Sequence, residues 1–427
     1  MKPSLLLVVI MIFGLVIVAL ATLNDGVLTL AIPLIVYLFG AVLDCPEAIS
    51  LTVNRELFPD HAPEGTPLTV KLSVVNQGRP IGEVAIQDIV PAGMRQLDGK
   101  SSLVAVLDAQ GEMALEYTAA AARGEYNAYE VLVQARDVFG LFESQSAYRT
   151  APRLIVQPRY PKLDRIKIRP PQTRGFAGPI AARQGGNGIG FFGIREYQAG
   201  DPQRQINWRL STRVDRELYT NVFEQERVAD VGLILDARER ANVTTADGSL
   251  FEHALRAAAA LAENFLDDGN RVSLLVYGFD MRRVFPGYGK IQRNRILTAL
   301  AKAQTGTNFA LESLDRLPTR FFPAKSQIVM VSALLPEDIA VIARMRAHGY
   351  AVMVISPDSV TFEASSIQDF TSPAFRFAAA ERLMMLRQVH RSGVPVVNWN
   401  VNQPLEVVVR DTLARQPVYN YINVPGL

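Results

Sequence analysis

Residues 191–213, FFGIREYQAGDPQRQINWRLSTR, place two carboxylates, Glu196 and Asp201, in one short segment with Arg195, Arg204, Arg209 and Arg213. A carboxylate pair at that spacing has the make-up of a general acid and base. It equally suits a structural clasp. Guanidinium groups outnumber the carboxylates and favour their charged forms, and no histidine or nucleophile stands beside them. The clasp is the stronger reading: ion pairs across the Gly200-Asp201-Pro202 turn, with Tyr197 and Trp208 packing into a joint. Asp201 is placed to cap a helix whose first residue is Pro202. On that helix Ile206 and Leu210 would share one face, and Arg204 and Trp208 another.

The elements that must position this segment begin at a membrane. The chain has 427 residues, enough for two or three domains, and is 49% hydrophobic with a mean hydropathy of +0.11. Residues 4–23 and 26–43 carry no charge, and roughly 17–25 apolar residues span a bilayer as a helix. Only Asn24 and Asp25 separate them, so residues 1–45 are expected to form a transmembrane hairpin. Ala19-Leu20-Ala21 resembles a signal cleavage site, but the apolar core is long for a signal and a second apolar run follows. Lys2 before the first span and Asp25 in the turn predict an inside amino terminus. The soluble remainder is then cytoplasmic. Cys45 is the single cysteine, which excludes an intramolecular disulfide and a thiolate zinc site. A net charge of +2 gives no argument for a nucleic-acid partner.

Residues 46–157 read as an all-β unit. The runs 51–57, 67–78, 83–91, 112–119 and 127–137 alternate apolar and polar residues between turn formers, a pattern that predicts an immunoglobulin-like sandwich. Residues 158–227 read as a linker followed by the segment above. Six basic residues from Arg159 to Arg174 face only Asp164, so contact with anionic lipid headgroups is one reading and a solvated face the other. The glycines of GGNGIG (185–190) fail the G-x-G-x-x-G pattern and are not read as a phosphate loop. From 228 to 427 strands and helices alternate. Strands are predicted at 228–237, 271–279, 327–335, 351–357 and 394–400, and helices at 249–269, 290–304, 337–347 and 374–391. This predicts an open, mostly parallel sheet with helices on both faces, which binds ligands beyond the carboxyl ends of its strands. Asp236 ends the first of those strands.

The stretch 194–237, IREYQAGDPQRQINWRLSTRVDRELYTNVFEQERVADVGLILDA, resembles the signature of the uncharacterised bacterial family catalogued as domain of unknown function 58. The matching positions are Arg195, Glu196, Tyr197, Gly200, Asp201, Arg204, Trp208, Arg213, Glu224 and Glu226. RGEYNAYEVLVQARDVFGLF (123–142) and the paired amino-terminal spans extend the likeness over the whole chain. The resemblance implies a von Willebrand factor A-like domain at 228–427. It also implies MoxR-type AAA+ ATPases and other von Willebrand A-like proteins as partners. Many such domains hold a divalent cation with D-x-S-x-S, a threonine and a later aspartate. Here Asp236 matches the first aspartate and Thr307 the threonine, but Arg238 and Arg240 replace the serines. Ala333 stands near the later aspartate's place, and Asp338 falls in the next helix.

Two guanidinium groups repel a cation, so no metal and no cofactor are expected. Asp236, Arg238, Arg240 and Thr307 are instead read as a rim that pairs internally or with a partner's carboxylates. The function expected is a membrane-anchored, non-enzymatic scaffold or adaptor serving assembly or maturation of envelope or other complexes. Two rivals stand beside it. One is an envelope-associated hydrolase using Glu196 and Asp201, the other a metal-dependent adhesion module.

Overall fold

The computed structural model describes residues 3–43, 49–136, 139–164, 166, 174–213, 217–246, 248–367, 370 and 372–414. Lys2 and Cys45 lie outside the described residues. The chain divides into two compact units, Met1–Gln157 and Pro158–Leu427.

The first unit opens with two apolar helices, α1 (Pro3–Thr22) and α2 (Asp25–Leu43), each long and apolar enough to cross a membrane. The side chain of Asn24 accepts the Gly26 N–H at 2.9 Å and so fixes the start of α2. Eleven strands follow: β1 (Leu51–Phe58), β2 (His61–Pro63), β3 (Pro67–Asn76), β4 (Ile81–Ile89), β5 (Met94–Gly99), β6 (Ser102–Leu107), β7 (Glu112–Ala121), β8 (Gly124–Tyr126), β9 (Tyr129–Arg136), β10 (Glu143–Thr150) and β11 (Leu154–Gln157). Two antiparallel sheets, ordered β1-β3-β7-β5 and β10-β9-β4-β6, carry most of them. Alternation decides which residues face inward: Leu72, Val74 and Leu115 of one sheet meet Val84, Ile86, Val131 and Val133 of the other. Inside this unit Arg55 pairs with Asp88, whose second oxygen accepts the Tyr117 hydroxyl at 2.8 Å, and the guanidinium lies 4.4 Å over the Tyr129 ring. The turn after β9 packs on α2: the Tyr37 hydroxyl donates to the Phe139 carbonyl at 2.7 Å, with the rings edge-on.

In the second unit the stretch read as a linker is structured. Leu163 and Ile166 are buried, and Asn264 holds the Leu163 and Asp164 carbonyls at 3.1 and 2.9 Å. Residues Arg174–Glu196 form a long strand, β12, paired antiparallel with β13 (Tyr219–Val228). The GGNGIG glycines lie in β12, where the register to β13 shifts, as glycine in a strand favours. A four-residue helix, α3 (Trp208–Ser211), lies between these strands.

Next come β14 (Asp230–Ala237), the short pair β15 (Thr244–Thr245) and β16 (Gly248–Ser249), α4 (Leu250–Asp267), β17 (Arg271–Gly278), β18 (Met281–Gly287), α5 (Gly289–Ala301), β19 (Gln327–Val331), α6 (Asp338–Ala347), β20 (Ala351–Pro357), α7 (Ser359–Ile367), α8 (Pro373–Arg391), β21 (Val396–Trp399) and α9 (Leu405–Ala414). The main sheet is mixed, ordered β18-β17-β14-β19-β20-β21, with only β18 antiparallel. β14 is buried along its whole length. Its Leu233 and Leu235 pack with α4, α5 and α9, while Ile234 packs with α6 and α8. A strand buried on both faces must be apolar throughout, which is why its sequence shows no alternation. The predicted βα pattern omitted β18, α7 and α9. β18, with Arg282, Arg283 and Pro286, is a polar edge strand, where proline is tolerated.

A charge-saturated crevice at the end of the central strand

The sheet order fixes where a site can form. From β14 the chain moves to β17 on one side, then returns to place β19 on the other. The crevice outside the carboxyl ends of β14 and β19 is therefore the topological switch point. Asp236 closes β14, Ser332 follows β19, and Asp338 opens α6.

Arg238 fills the space between them. Its Nε and Nη2 donate to Asp236 Oδ1 and Oδ2 at 2.9 and 2.7 Å. Nη1 and Nη2 donate to Asp338 Oδ1 and Oδ2 at 3.0 and 2.7 Å, and Nη1 also reaches the Glu312 carbonyl at 3.2 Å. All five guanidinium N–H groups thus have acceptors. Ser332 Oγ donates to Asp236 Oδ2 at 2.6 Å and accepts the Leu334 N–H at 3.0 Å. The Leu335 N–H supports Asp338 Oδ2 at 2.8 Å. The charged side chains are no more than 2% exposed.

Burial works against the Arg238 charge, but hydrogen bonds and the charges of Asp236 and Asp338 outweigh it and raise its pKa. Burial also pushes the Asp338 carboxyl up, against the opposing pull of Arg238 and the Leu335 N–H, with a smaller upward push from the charge of Asp236. Leu334 completes the turn with a φ of +64°. For a non-glycine residue that conformation costs on the order of 1–2 kcal/mol, and the surrounding hydrogen bonds hold it.

A second buried arginine braces the same end of the sheet. Arg382 of α8 donates to the carbonyls of Ala333, Ser356 and Pro357 at 3.0, 3.2 and 2.9 Å, and pairs with Asp358 at 3.0 Å. It ties together the ends of β19 and β20, and through Asn398 also β21.

These contacts decide between the alternatives of the sequence reading. Arg238 takes the internal pairing with Asp236, but not on a rim: it lies beneath the surface with its donors used, so it is not available to a partner. Asp338, set aside as part of a helix, is brought to Asp236 because it is the first residue of α6. Of the remaining rim residues, Arg240 is exposed and pairs with Glu337 at 3.0 Å. Thr307 is also exposed, beside Gly306, whose backbone bridges to Arg238. Ser332 and Arg382 were missed. Arg382 had a signal, since it shares a helical face with the buried Leu386 and Val389. The donor set does not suit a metal: a guanidinium already stands between the two carboxylates. Among the described residues no cluster of three or more histidine, cysteine, aspartate or glutamate side chains could hold one.

The signature segment forms a smaller lock. Arg195 pairs with Asp201 at 2.7 Å and donates to the Glu196 carbonyl at 2.9 Å. The Gln198 N–H donates to the other Asp201 oxygen at 3.0 Å. The Tyr197 N–H joins the Leu218 carbonyl at 2.7 Å, and its half-buried ring leans its hydroxyl towards the Asp201 carbonyl. Gly200, at φ +112°, makes the turn that closes this loop. The hydrogen bond from Arg195, with that from Gln198, holds the Asp201 carboxyl below its ordinary value. Glu196 is exposed.

The helix expected from Pro202 does not form. One 3-10 turn, Gln203–Gln205, gives way to Ile206 in extended conformation, bridged to Thr220. Asp201 is engaged by Arg195 and Gln198 and caps nothing. Asn207 starts α3 instead, its side chain accepting the Leu210 N–H at 3.1 Å and donating to Asn221 at 2.8 Å. Trp208 is 61% exposed, so it packs into no joint. Arg204, Arg209 and Arg213 are exposed and make no ion pair among the described residues. Glu224 and Glu226 fall on β13, and their side chains lie outside the description. So does much of the basic run after Arg159, including Arg165, Lys167 and Arg169.

Residues 193–361 match the family model described as Protein of unknown function DUF58. This match supports that family and takes in both the lock around Asp201 and the Asp236–Asp338 crevice. The search of curated proteins returns no match. Among solved structures the chain is similar to native alpha-2-macroglobulin from Escherichia coli, at 15% identity and a TM-score of 0.22, over 27% of this chain and 18% of that one. It is also similar to a FixG-related protein from Vibrio parahaemolyticus, at 12% identity and a TM-score of 0.16, over 25% of this chain and 97% of that one. Neither likeness bears on the fold of the whole.

Proposed function

We propose that this chain is a membrane-anchored, non-enzymatic scaffold or adaptor that binds a partner protein through its carboxyl-terminal α/β domain. We read that domain as von Willebrand factor A-like and the preceding β unit as immunoglobulin-like. The observation that carries the proposal is Arg238. At the place where a sheet of this kind receives a ligand, the chain supplies its own cation and leaves Asp236, Asp338 and Ser332 engaged with one another. The surface above, with Arg240, Thr307 and the 86% exposed Phe309, is then the part offered to a partner. By family resemblance that partner is a MoxR-type AAA+ ATPase, together with other von Willebrand A-like proteins. In this reading the anchor lies in a bacterial inner membrane with the soluble units on the cytoplasmic side, serving assembly or maturation of envelope or other complexes. The hydrolase reading has less support, because both carboxylate oxygens of Asp201 are already engaged, one by Arg195 and the other by the Gln198 N–H.

The test is a crosslinking pull-down from native membranes with wild type and Arg240→Glu. An AAA+ ATPase should be recovered with wild type and about tenfold less with the variant, since reversing a rim charge weakens association. Recovery of no ATPase overturns the partner, and equal recovery overturns the surface.

A further inference from the structure

The strand β6 ends its sheet. Its inner edge pairs with β4, Ala85 opposite Val104 and Val84 opposite Ala105. Its outer edge pairs with no strand among the described residues. Edge strands are normally blunted by charge, proline, a bulge or a covering segment. The six residues SLVAVL contain no charge, proline or glycine. Leu107 is buried and Leu103 packs on the core, whereas Val104 and Val106, on the opposite face, are 61% and 69% exposed.

We propose that two copies of this chain associate through this edge, their β6 strands pairing antiparallel about a two-fold axis at Ala105. Residues 103–107, LVAVL, read the same in both directions. A two-fold axis requires each contact to be made twice, with roles exchanged. Centred on Ala105, the pairing sets Leu103 opposite Leu107 and Val104 opposite Val106. The four exposed valines then form one strip on the outer face, and the leucines stay on the core side. A slip of one residue would set core residues against surface residues and is excluded by the pleat. A slip of two would place Val106 opposite Ser102 and break up the strip.

The flanking charges agree with this register. Lys100 precedes the strand and Asp108 follows it, both exposed. Across the axis Asp108 sits opposite Ser102 of the second copy, and diagonal to its Lys100. Long side chains bridge that separation. The basic end of each strand therefore meets the acidic end of the other, twice.

The experiment uses the full chain in detergent, with Cys45→Ser removing the native thiol. Sedimentation equilibrium should give a dimer. Val104→Lys should weaken it at least about tenfold while leaving the melting temperature unchanged, as a lysine on an edge opposes pairing. Lys100→Asp should also weaken it, and the double swap Lys100→Asp with Asp108→Lys should restore it. Ser102→Cys and Asp108→Cys chains should form a disulfide-linked dimer only when mixed, because each residue meets the other across the axis and not itself. A monomeric full chain, a dimer indifferent to Val104→Lys, or cross-linking of either cysteine variant alone overturns the proposal. A β6 edge that serves a different protein's strand would show itself as the monomer.

Discussion

Arg238 and Asp338 stand 100 residues apart in the chain, yet Nη2 of one lies 2.7 Å from Oδ2 of the other, beneath the surface at the end of the central strand. Asp236 holds the other side of the same guanidinium at 2.7 Å. One side chain therefore joins the end of β14 to the start of α6 by direct hydrogen bonds.

Removing that side chain strands two buried carboxylates. Arg238→Ala should lower stability by about 3–5 kcal/mol, as for other buried pairs broken from one side. Arg238→Lys should fall between, since an ammonium cannot serve both carboxylates with five donors. Denaturant unfolding of the full chain in detergent measures both. A loss below about 1 kcal/mol for the alanine variant would place the crevice open to water.

The carboxyl of Asp338 has its pKa raised by burial. The folded state then binds a proton more tightly than the unfolded one, so its contribution is largest at low pH. That contribution declines as pH rises through the window immediately above the ordinary carboxylate range. Relative to Asp338→Asn, wild type should lose stability with rising pH across that window. Parallel pH profiles for the two proteins would show that Asp338 is not perturbed.

Magnesium provides a third measurement. Titration into wild type should give no saturable heat, because a guanidinium occupies the space between the carboxylates. Arg238→Ser frees Asp236, Asp338 and Ser332 as oxygen ligands of the kind Mg²⁺ accepts, and should gain saturable binding if circular dichroism shows it folded. Saturable binding to wild type would defeat the metal-free reading.

The turn after Asp201 separates cap from ornament. Asn207→Ala removes the cap of α3 and the bond to Asn221, and should cost about 1 kcal/mol. Trp208→Ala, at an exposed position, should stay within about 0.5 kcal/mol. The reverse order in thermal melts would restore a packing role to the indole.

Several features of this chain are local and were legible as such. The helices at 3–22 and 25–43 follow from uninterrupted apolar length, β3 from strict alternation, β14 from a continuous apolar run, and α4 from its helical period. Each depends on a dozen or so neighbouring residues, which is the range over which propensity and periodicity act. The glycine-rich stretch 174–196 reads as a linker by composition, but pairing with β13 makes it a strand. Pro202 reads as a helix start, but the bridge from Ile206 to Thr220 interrupts the helix. DARER reads as a charged rim. Only the return of the chain, placing Ser332, Leu335 and Asp338 over Asp236, makes one of its arginines an internal cation and leaves the other at the surface. Whether a charge is buried and paired is decided by what folds over it, and for Arg238 that comes from residues about 100 positions away.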